Sequence, residues 1–257
     1  MTELAVDLRG VRRVYDDGDA PVLALDGVDL TVPAGKFVSV IGPSGCGKST
    51  LLRLAAGLEA PDAGHVTVCG VTPEEASRLK LLGFVPQTPA LLPWLSVRKN
   101  VTLPQRVNRK GRRPGPDMDA MLRKVGLGDV MGALPSQLSG GMQQRTSIVR
   151  AFGLHPDVLL MDEPFGALDE FTREVLQEQL LELWDELKST VLFVTHSISE
   201  AVRLSDVVVV MGPGCVLDTI EIDLPRPRLQ DELQDARFRE LEVRVRDALK
   251  AAFEGAR

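Results

Sequence analysis

The sequence predicts an α/β protein built on a parallel β-sheet covered by helices on both faces, and three features predict it. Short apolar runs rich in β-branched residues are continuous rather than alternating, as in strands buried on both faces. Helical segments lie between these runs, which favours a doubly wound arrangement. Two runs near the start alternate apolar and polar residues, as in antiparallel strands of a smaller β layer. The continuous runs are residues 37–41, 158–161, 191–194 and 207–211, and the alternating runs are 4–8 and 25–32.

Composition and charge exclude several classes of function. The chain has 257 residues, 44% of them hydrophobic, which suffices for a sizeable core in one domain with an added lobe. Its formal net charge of −6 argues against a general nucleic-acid coat protein, so we expect no nucleic-acid partner. No apolar run approaches the roughly 18 residues needed to cross a bilayer, and the first ten residues lack the pattern of a secretory signal. We therefore expect a protein of the cytoplasm that cannot itself form a channel.

The character of the chain changes in its middle. Between residues 89 and 156, proline, glycine and helical segments replace the valine-rich strands, which predicts an inserted helical lobe. We expect a single domain over 1–257, with a sheet core formed by 1–88 and 157–224 and a C-terminal helical tail over 225–257. Apolar residues at helical spacing predict that this tail packs back on the body, and they are Phe238, Leu241, Val245, Leu249 and Phe253.

Two other segments have a helical and a loop pattern. Residues 172–187 predict an amphipathic helix, whose apolar face comprises Val175, Leu176, Gln179, Leu180 and Leu183. The run from 104 to 116 packs five basic residues among turn formers. We interpret this run as a solvated loop, and contact with lipid headgroups or DNA is the alternative.

A phosphate-binding pattern follows the first continuous run. Gly42-Pro43-Ser44-Gly45-Cys46-Gly47-Lys48-Ser49 matches G-x-x-x-x-G-K-[ST] between a predicted strand and a helical run that starts at Thr50, the context that this pattern requires. Its glycines let successive N–H groups and the positive end of the helix face a polyphosphate. Lys48 is expected to reach the β- and γ-phosphates, and Ser49 to offer its hydroxyl to Mg²⁺. Cys46 is interpreted as a small packing residue.

Acidic and imidazole side chains follow two other predicted strands. Asp162 and Glu163 come directly after the run at 158–161, and His196 follows the run at 191–194. Open α/β folds bind ligands at the C-terminal edge of the sheet, where the phosphate-binding pattern also lies. We predict that Asp162 holds Mg²⁺ through water, that Glu163 orients or deprotonates the attacking water, and that His196 senses the γ-phosphate. Together with the phosphate pattern, these residues favour a P-loop NTPase.

A second helix start with anion-binding features lies in the middle of the chain. Leu138-Ser139-Gly140-Gly141-Met142-Gln143-Gln144-Arg145 opens a helix that Ser139 can cap, and Gly140 and Gly141 permit another molecule to approach closely. With this segment the chain resembles the nucleotide-binding subunit of an ABC transporter, because LSGGMQQR resembles the signature motif of that family and the other motifs occur in the family's order. The resemblance covers about residues 3 to 224. It implies a fold of the ABC ATPase type, with a RecA-like parallel sheet core, an antiparallel β layer and the inserted helical lobe.

The resemblance implies roles for further residues. Tyr15 resembles the aromatic residue that stacks on adenine, and Gln87 resembles the glutamine that joins Mg²⁺ to the helical lobe. Asp169 lies in a segment similar to the loop that crosses the dimer interface. In the family, the signature of one subunit covers the phosphate loop of another, so two ATP molecules lie between two subunits. The resemblance therefore implies a homodimer in which Ser139, Gly140 and Gly141 complete the ATP site of the opposite subunit.

The resemblance also implies an ATPase that energises import through two separate transmembrane permease subunits, with a solute-binding protein as an indirect partner. Such a subunit lies peripherally on the cytoplasmic face of the inner membrane. Residues 91–95 lie in the region that binds the coupling helix of the permease in members of the family. Trp94 is the side chain of this segment that we expect to be exposed. The motifs at 164–173 and 224–228 resemble those of the nitrate, sulfonate and taurine importers, whose solutes are small anions.

Two alternatives belong to other classes of function. The first is a soluble ABC ATPase that acts on DNA or ribosomes without transport, but such chains usually carry two cassettes or a long coiled coil, and this chain has neither. The second is a P-loop kinase of a small molecule, which has no use for the helix start at 138–145.

Overall fold

The computed structural model describes residues 3–16, 20–108, 115–166, 168–226, 228 and 236–254. Its strands are β1 (Leu4–Tyr15), β2 (Val22–Pro33), β3 (Phe37–Ile41), β4 (Ala63–Val68), β5 (Leu82–Val85), β6 (Val158–Asp162), β7 (Thr190–Thr195), β8 (Val207–Gly212) and β9 (Cys215–Glu221). Its helices are α1 (Lys48–Ala55), α2 (Pro73–Arg78), α3 (Val97–Val107), α4 (Met118–Lys124), α5 (Gly140–Phe152), α6 (Glu170–Leu187), α7 (Ile198–Leu204) and α8 (Ala236–Glu254). Four basic residues of the 104–116 run, Arg109, Lys110, Arg112 and Arg113, lie outside the described residues.

The strands form two sheets. The larger sheet has the order β5-β6-β7-β3-β8-β9. Its first five strands in this order pair in parallel, and β9 pairs antiparallel with β8 at the edge. The smaller sheet is antiparallel, with the order β2-β1-β4. This arrangement confirms the predicted α/β class with a parallel sheet and a separate antiparallel β layer.

Three strands were not predicted from the sequence, and each has a weak local pattern. Both β4 and β5 contain a glycine, and β5 has only four residues. The edge strand β9 is mostly exposed and carries charged residues. Each of these strands forms because a neighbouring strand offers its unpaired backbone groups, which a local pattern does not reveal.

The strands of the larger sheet are buried on both faces because different layers cover them. In β6, Leu160 packs in a cluster with the smaller sheet and α1, whereas Leu159 and Met161 pack on the other face with α3, α5 and α6. On β8, Val208 and Val210 pack with residues of α7 and α8. The continuous apolar runs of the sequence follow from this two-sided burial.

Helix α6 shows one error of the sequence analysis. Leu176, Leu180 and Leu183 are buried as predicted, but Val175 is 49% exposed, so its assignment to the buried face is wrong. The buried stripe also includes Trp184, one turn after Leu180. A stripe at positions 176, 180, 183 and 184 leaves Val175 on the flank of the helix.

Arg226 and Arg228, which follow β9, donate hydrogen bonds to carbonyl groups at the C-terminal end of α7. Arg228 is 4% exposed and donates hydrogen bonds to five backbone carbonyl oxygens, those of Val202, Arg203, Ser205, Ile222 and Leu224. The last carbonyls of a helix have no partner within it, so Arg228 caps α7. Burial, together with the nearby charge of Arg226, lowers the pKa of Arg228 to about 10. Arg226 pairs with Asp206 at 3.0 Å and lies 4.4 Å from the centre of the Trp184 ring.

Replacement of Arg228 by methionine is expected to destabilise the chain. The variant Arg228→Met keeps the apolar stem but leaves the carbonyl groups at the end of α7 without their donor. We expect the free energy of unfolding to fall by about 3 kcal/mol, because a buried acceptor without a partner costs about 1–3 kcal/mol. Denaturant unfolding of the nucleotide-free chain measures the change. The control is Arg244→Met at an exposed position of α8, and equal stability of the two variants would contradict the capping role.

Candidate functional site

Four segments of the predicted site leave the same edge of the larger sheet. Parallel pairing places Ile41 opposite Thr195 and Asp162 opposite Val194, so these strands end at one level. Strand β5 pairs in parallel with β6, on the side of β6 opposite to β7. Asp162 is the last residue of β6, and the segments that follow the four strands carry the phosphate loop at 42–49, Gln87, Glu163 and His196.

The phosphate loop leads from β3 into α1 with glycines at its tightest points. Gly47 precedes α1 with a φ of 104°, and among the described residues no side chain caps this helix. The first N–H groups of α1 are therefore available to an anion. A Cβ atom at Gly47 would overlap the carbonyl oxygen of Ala24, and one at Gly42 would overlap that of Met211. The remaining loop residues include Ser44 and Gly45, which are exposed, and Pro43, which is half-buried.

Lys48 is held at the start of the same helix. Its side chain is buried, and its Nζ donates to the carbonyl oxygens of Gly42 and Pro43, both at 2.8 Å. These acceptors are neutral, whereas a phosphate oxygen is charged and forms stronger hydrogen bonds with an ammonium group. Nζ also lies 3.9 Å from the Sγ atom of Cys46. Burial raises the pKa of this thiol, which suits a packing residue rather than a nucleophile.

Tyr15 lies at the end of β1, next to α1. Its hydroxyl donates to Glu59 Oε2 at 2.5 Å and lies 3.2 Å from Thr50 Oγ1. The guanidinium group of Arg13 lies 4.9 Å from the centre of the Tyr15 ring. Stacking of Tyr15 on adenine stays a prediction, and it requires the ring face that Arg13 does not cover.

Ser49 and Asp162 meet between α1 and β6. The Ser49 hydroxyl donates to Asp162 Oδ1 at 2.9 Å. Burial raises the pKa of Asp162, and the hydrogen bond from Ser49 opposes this effect. Hydroxyl and carboxylate oxygens are ligands that Mg²⁺ prefers.

Glu163 lies between the side chains of His196 and Gln87. Its φ of 43° is in the left-handed region, a strained conformation for this residue type. Its N–H donates to the carbonyl oxygen of Val194 at 3.0 Å, which fixes the residue against β7. Its Oε2 lies 3.2 Å from Nδ1 of His196 and 3.5 Å from Nε2 of Gln87. The structure thus brings together Glu163, His196 and Gln87, which the sequence analysis predicted separately.

The oxygen donors at this edge fit Mg²⁺. Ser49, Asp162 and Gln87 offer a hydroxyl, a carboxylate and an amide oxygen. Within the described ranges, no group of three or more His, Cys, Asp or Glu side chains is arranged to hold a metal ion. Mg²⁺ usually keeps several waters and is shared between one or two protein ligands and the phosphates of a substrate, so a complete protein cage is not required.

The predicted signature segment begins helix α5. Ser139 precedes the helix, and its Oγ accepts a hydrogen bond from the N–H of Met142 at 3.3 Å. Ser139 and Gly140 are exposed, and a Cβ atom at Gly140 would meet nothing within 4 Å. Helix α5 packs against α3, α4 and β5, whereas α1 packs against β2, β4, β6 and β7. The two helix starts that are predicted to bind anions therefore belong to different layers of the chain.

Asp169 lies beside this exposed helix start. Its Oδ1 accepts a hydrogen bond from the N–H of Thr172 at 3.0 Å and so caps α6, and this bond lowers the pKa of Asp169. A Cβ atom at Gly141 would lie 2.9 Å from Cγ2 of Thr172 and 3.7 Å from Cδ2 of Leu168. The start of α6 and the start of α5 thus share one surface of the chain.

Three residues in contact with the site were not predicted to act there. Glu59 holds the Tyr15 hydroxyl. Arg173 and Glu200 form an ion pair at 3.5 Å between α6 and α7. The available signal was proximity in sequence, since Arg173 follows the capping residue Asp169 by one helical turn and Glu200 lies in the first turn of the helix that follows His196.

The phosphate loop, the acidic pair and the imidazole at one sheet edge define a P-loop nucleotide hydrolase. The description "ABC transporter" belongs to the family model that matches residues 25–166, and the chain belongs to that family. No helix in the described part of the chain is long and apolar enough to cross a membrane.

Three known proteins illustrate the similarity. The aliphatic sulfonates import ATP-binding protein SsuB of Rhodopseudomonas palustris is 44% identical over 97% of this chain and 85% of its own length. The nitrate import ATP-binding protein NrtD of Synechococcus elongatus is 40% identical over 95% of this chain and 90% of its own. The solved dimer of the ATP-binding cassette MJ0796 with ADP and Pi has a TM-score of 0.75 and 32% identity, and the match covers 86% of this chain and 100% of that one. This chain is thus an ATP-binding cassette with ATPase activity.

A comparison of two glycines tests the packing of the phosphate loop. Gly47→Ala places a methyl group on the carbonyl oxygen of Ala24, whereas Gly45→Ala, also at positive φ, meets nothing within 4 Å. Both variants lose about 1 kcal/mol to the left-handed conformation. Gly47→Ala is expected to have the lower melting temperature in a thermal scan without nucleotide, because its loop must also shift. Equal melting temperatures would show that the loop does not depend on this close approach.

Proposed function

We propose that the chain is the ATP-hydrolysing subunit of an importer of small anions. In this proposal it acts as a homodimer, on two transmembrane permease subunits, at the cytoplasmic face of the inner membrane. The observation that carries the proposal is the combination of hydrolytic side chains at the sheet edge with an exposed, glycine-rich helix start in a different layer. An enzyme with a single self-contained site does not need the second helix start.

The relatives support import of a small anion. Two proteins that are 40–44% identical over at least 95% of this chain are named for import of aliphatic sulfonates and of nitrate. Both solutes are small anions, and an importer of this kind takes its solute from a solute-binding protein. The motifs at 164–173 and 224–228 of the sequence support the same branch.

The residues at the sheet edge divide the work of binding ATP. Lys48 and the first N–H groups of α1 bind the β- and γ-phosphates, and the ring of Tyr15 stacks on adenine. Ser49, Gln87 and, through water, Asp162 would hold Mg²⁺. When bound, this ion neutralises charge on the β- and γ-phosphates.

Glu163 and His196 act on the reacting groups. The Glu163 carboxylate orients the attacking water and accepts its proton, because its Oε2 is already held by contacts with His196 and Gln87. His196 is 60% exposed in its side chain, so its imidazole is accessible to the γ-phosphate. Hydrolysis of ATP depends mainly on such positioning and on stabilisation of charge.

The homodimer is supported by the exposure of the signature segment. Ser139 and Gly140 are exposed at the start of a helix that packs in a different layer from α1. In the proposed dimer, this start covers the γ-phosphate bound to the phosphate loop of the other subunit. The similar cassette MJ0796 was solved as a dimer with ADP and Pi.

The permease surface is proposed to include Trp94. This side chain is 71% exposed, which is unusual for tryptophan in the absence of a partner. Hydrogen bonds hold the loop that carries it, because the buried Asn100 accepts from the N–H of Leu92 at 2.8 Å and donates to the carbonyl oxygens of Leu92, Leu95 and Ser96. An exposed tryptophan on such a loop is a typical anchor of a protein interface.

Dimer formation is expected to depend on Gly140. The variant Glu163→Gln is expected to hydrolyse ATP slowly and therefore to form a dimer with ATP that size exclusion detects. Gly140→Asp in that background is expected to abolish this dimer, because the carboxylate repels the γ-phosphate at the start of α5, while ATP affinity of the monomer changes less than about twofold. Lys48→Ala, in contrast, should lose ATP affinity.

Gly132→Asp is the matched control, because it adds the same charge to the same lobe at a position that is also open within 4 Å. A dimer of the Gly140→Asp variant with ATP would contradict the proposed sandwich. Loss of ATP affinity equal to that of Lys48→Ala would assign the start of α5 to the chain's own site.

Transport itself is tested with the membrane partners. The chain, co-expressed with its permease and solute-binding protein and reconstituted in vesicles, is expected to hydrolyse ATP several-fold faster when a sulfonate or nitrate is supplied. Trp94→Ala is expected to lose this stimulation, and Val243→Ala, an exposed apolar residue on α8, to keep it. ATPase activity without co-purification of any permease would favour the non-transport ABC ATPase instead.

A further inference from the structure

Arg173 links the start of α6 to the start of α7. Its Nη2 donates to the carbonyl oxygen of Leu168 at 2.8 Å, directly before the capping residue Asp169. Its Nε lies 3.5 Å from Oε1 of Glu200 on α7. One guanidinium group therefore contacts both the loop before α6 and a carboxylate of the next helix.

Glu200 continues this link to the residues that flank His196. Its Oε2 accepts a hydrogen bond from the Thr195 hydroxyl at 2.5 Å. The same hydroxyl oxygen accepts the N–H of Ser197 at 3.0 Å, and the Ser197 hydroxyl accepts the N–H of Glu200 at 3.3 Å. The residues on both sides of His196 are thus tied to Glu200.

The carboxylate of Glu200 depends on these partners. The residue is 6% exposed, and burial raises its pKa, while the hydrogen bond from Thr195 and the charge of Arg173 oppose the effect. A buried ion pair adds little net stability, because desolvation offsets the attraction, but it defines a geometry since loss of one partner leaves the other unpaired. Glu200 is therefore suited to hold a position rather than to stabilise the fold.

We propose that Arg173 and Glu200 are positioning residues that couple the Leu168–Asp169 segment to His196. The inference rests on the proposed function, in which that segment meets the partner subunit. A shift of the Leu168 carbonyl moves Arg173, and Arg173 moves Glu200 and the backbone on either side of His196. Engagement of the partner subunit then adjusts the imidazole, which already lies 3.2 Å from Glu163 Oε2 in the single chain, to the position needed at the γ-phosphate.

A second ion pair between the same helices provides the comparison. Arg203 of α7, 2% exposed in its side chain, donates to Glu178 Oε1 of α6 at 2.8 Å and to Gln177 Oε1 at 3.1 Å. This pair joins α6 to α7 further along both helices. Gln177 also hydrogen-bonds Glu200, whereas the carboxylate of Glu178 pairs with Arg203. Removal of the Glu178 charge therefore tests attachment of the helices while Arg173 and Glu200 stay unchanged.

The test compares Glu200→Gln and Arg173→Gln with Glu178→Gln in the full chain. In Glu200→Gln and Glu178→Gln, glutamine keeps the size of the side chain and removes its charge, and at position 200 it also keeps an acceptor for Thr195. Arg173→Gln removes the charge and shortens the side chain, so that the hydrogen bond to the Leu168 carbonyl is lost. We expect kcat for ATP hydrolysis to fall by at least about tenfold in the first two variants, because small displacements of catalytic groups cost up to about 100-fold. ATP affinity of the monomer should change less than about twofold, and Glu178→Gln should keep the wild-type kcat.

The imidazole signals give a readout that a purely structural role would not move. The chain has three histidines, so NMR spectra with labelled histidine contain few signals, and His196→Ala assigns one of them. The His196 signal is expected to shift in Glu200→Gln and Arg173→Gln but not in Glu178→Gln.

The outcomes separate the inference from the proposed function. Wild-type hydrolysis with equal kcat in all three variants, or an unmoved His196 signal, would overturn the coupling and leave the proposed function standing. Equal losses of kcat in all three variants would also overturn it, since attachment of the helices would then explain the effect. A wild-type chain without ATPase activity would reject the proposed function, and the His196 signal would still test the coupling.

Discussion

The parallel pairing of β6, β7 and β3 is the constraint on which the site depends. The residues of the site are far apart in sequence, and Ser49 and Asp162, which share a hydrogen bond, are separated by 113 positions. They meet because the three strands are in register and end at one level. Slippage of one strand by a residue would turn its side chains to the opposite face and break this edge. Burial on both faces of the sheet specifies the register, so the core that stabilises the fold also aligns the chemistry.

The site draws on that core to hold unfavourable groups. Glu163 has a left-handed backbone, and Lys48 and Asp162 are buried polar residues. Each is unfavourable on its own, and the surroundings must hold it in place. Below Glu163, a series of aromatic contacts runs from Phe165 through Phe193 and Phe37 to Trp184, with ring centres 5.7–5.8 Å apart. These packed rings give the segment after β6 a rigid base.

The sequence was sufficient to predict those features that depend on residues close together in the chain. The phosphate loop was predicted because its glycines, lysine and serine are contiguous, and β3 because two-sided burial leaves a continuous apolar run. It was insufficient where structure depends on distant partners. Strand β9 exists because β8 offers an edge, and the ion pair of Arg173 and Glu200 exists because two helix starts meet. The roles of the site residues, including those of Tyr15, Gln87 and the signature residues, stay predictions, since each concerns a molecule or a subunit beyond this chain.

The separation of the two helix starts that are predicted to bind anions has a consequence for how such a chain is regulated. In the proposed homodimer each ATP site consists of the phosphate loop of one chain and the start of α5 of the other. The concentration of completed sites therefore rises with the square of the concentration of free chain. Two permease subunits that hold a pair of chains side by side would raise their effective concentration to the millimolar range expected of short tethers. The rate of ATP hydrolysis would then depend more on assembly of two chains with the permease than on the concentration of ATP. Free copies of the chain would bind nucleotide and consume little of it.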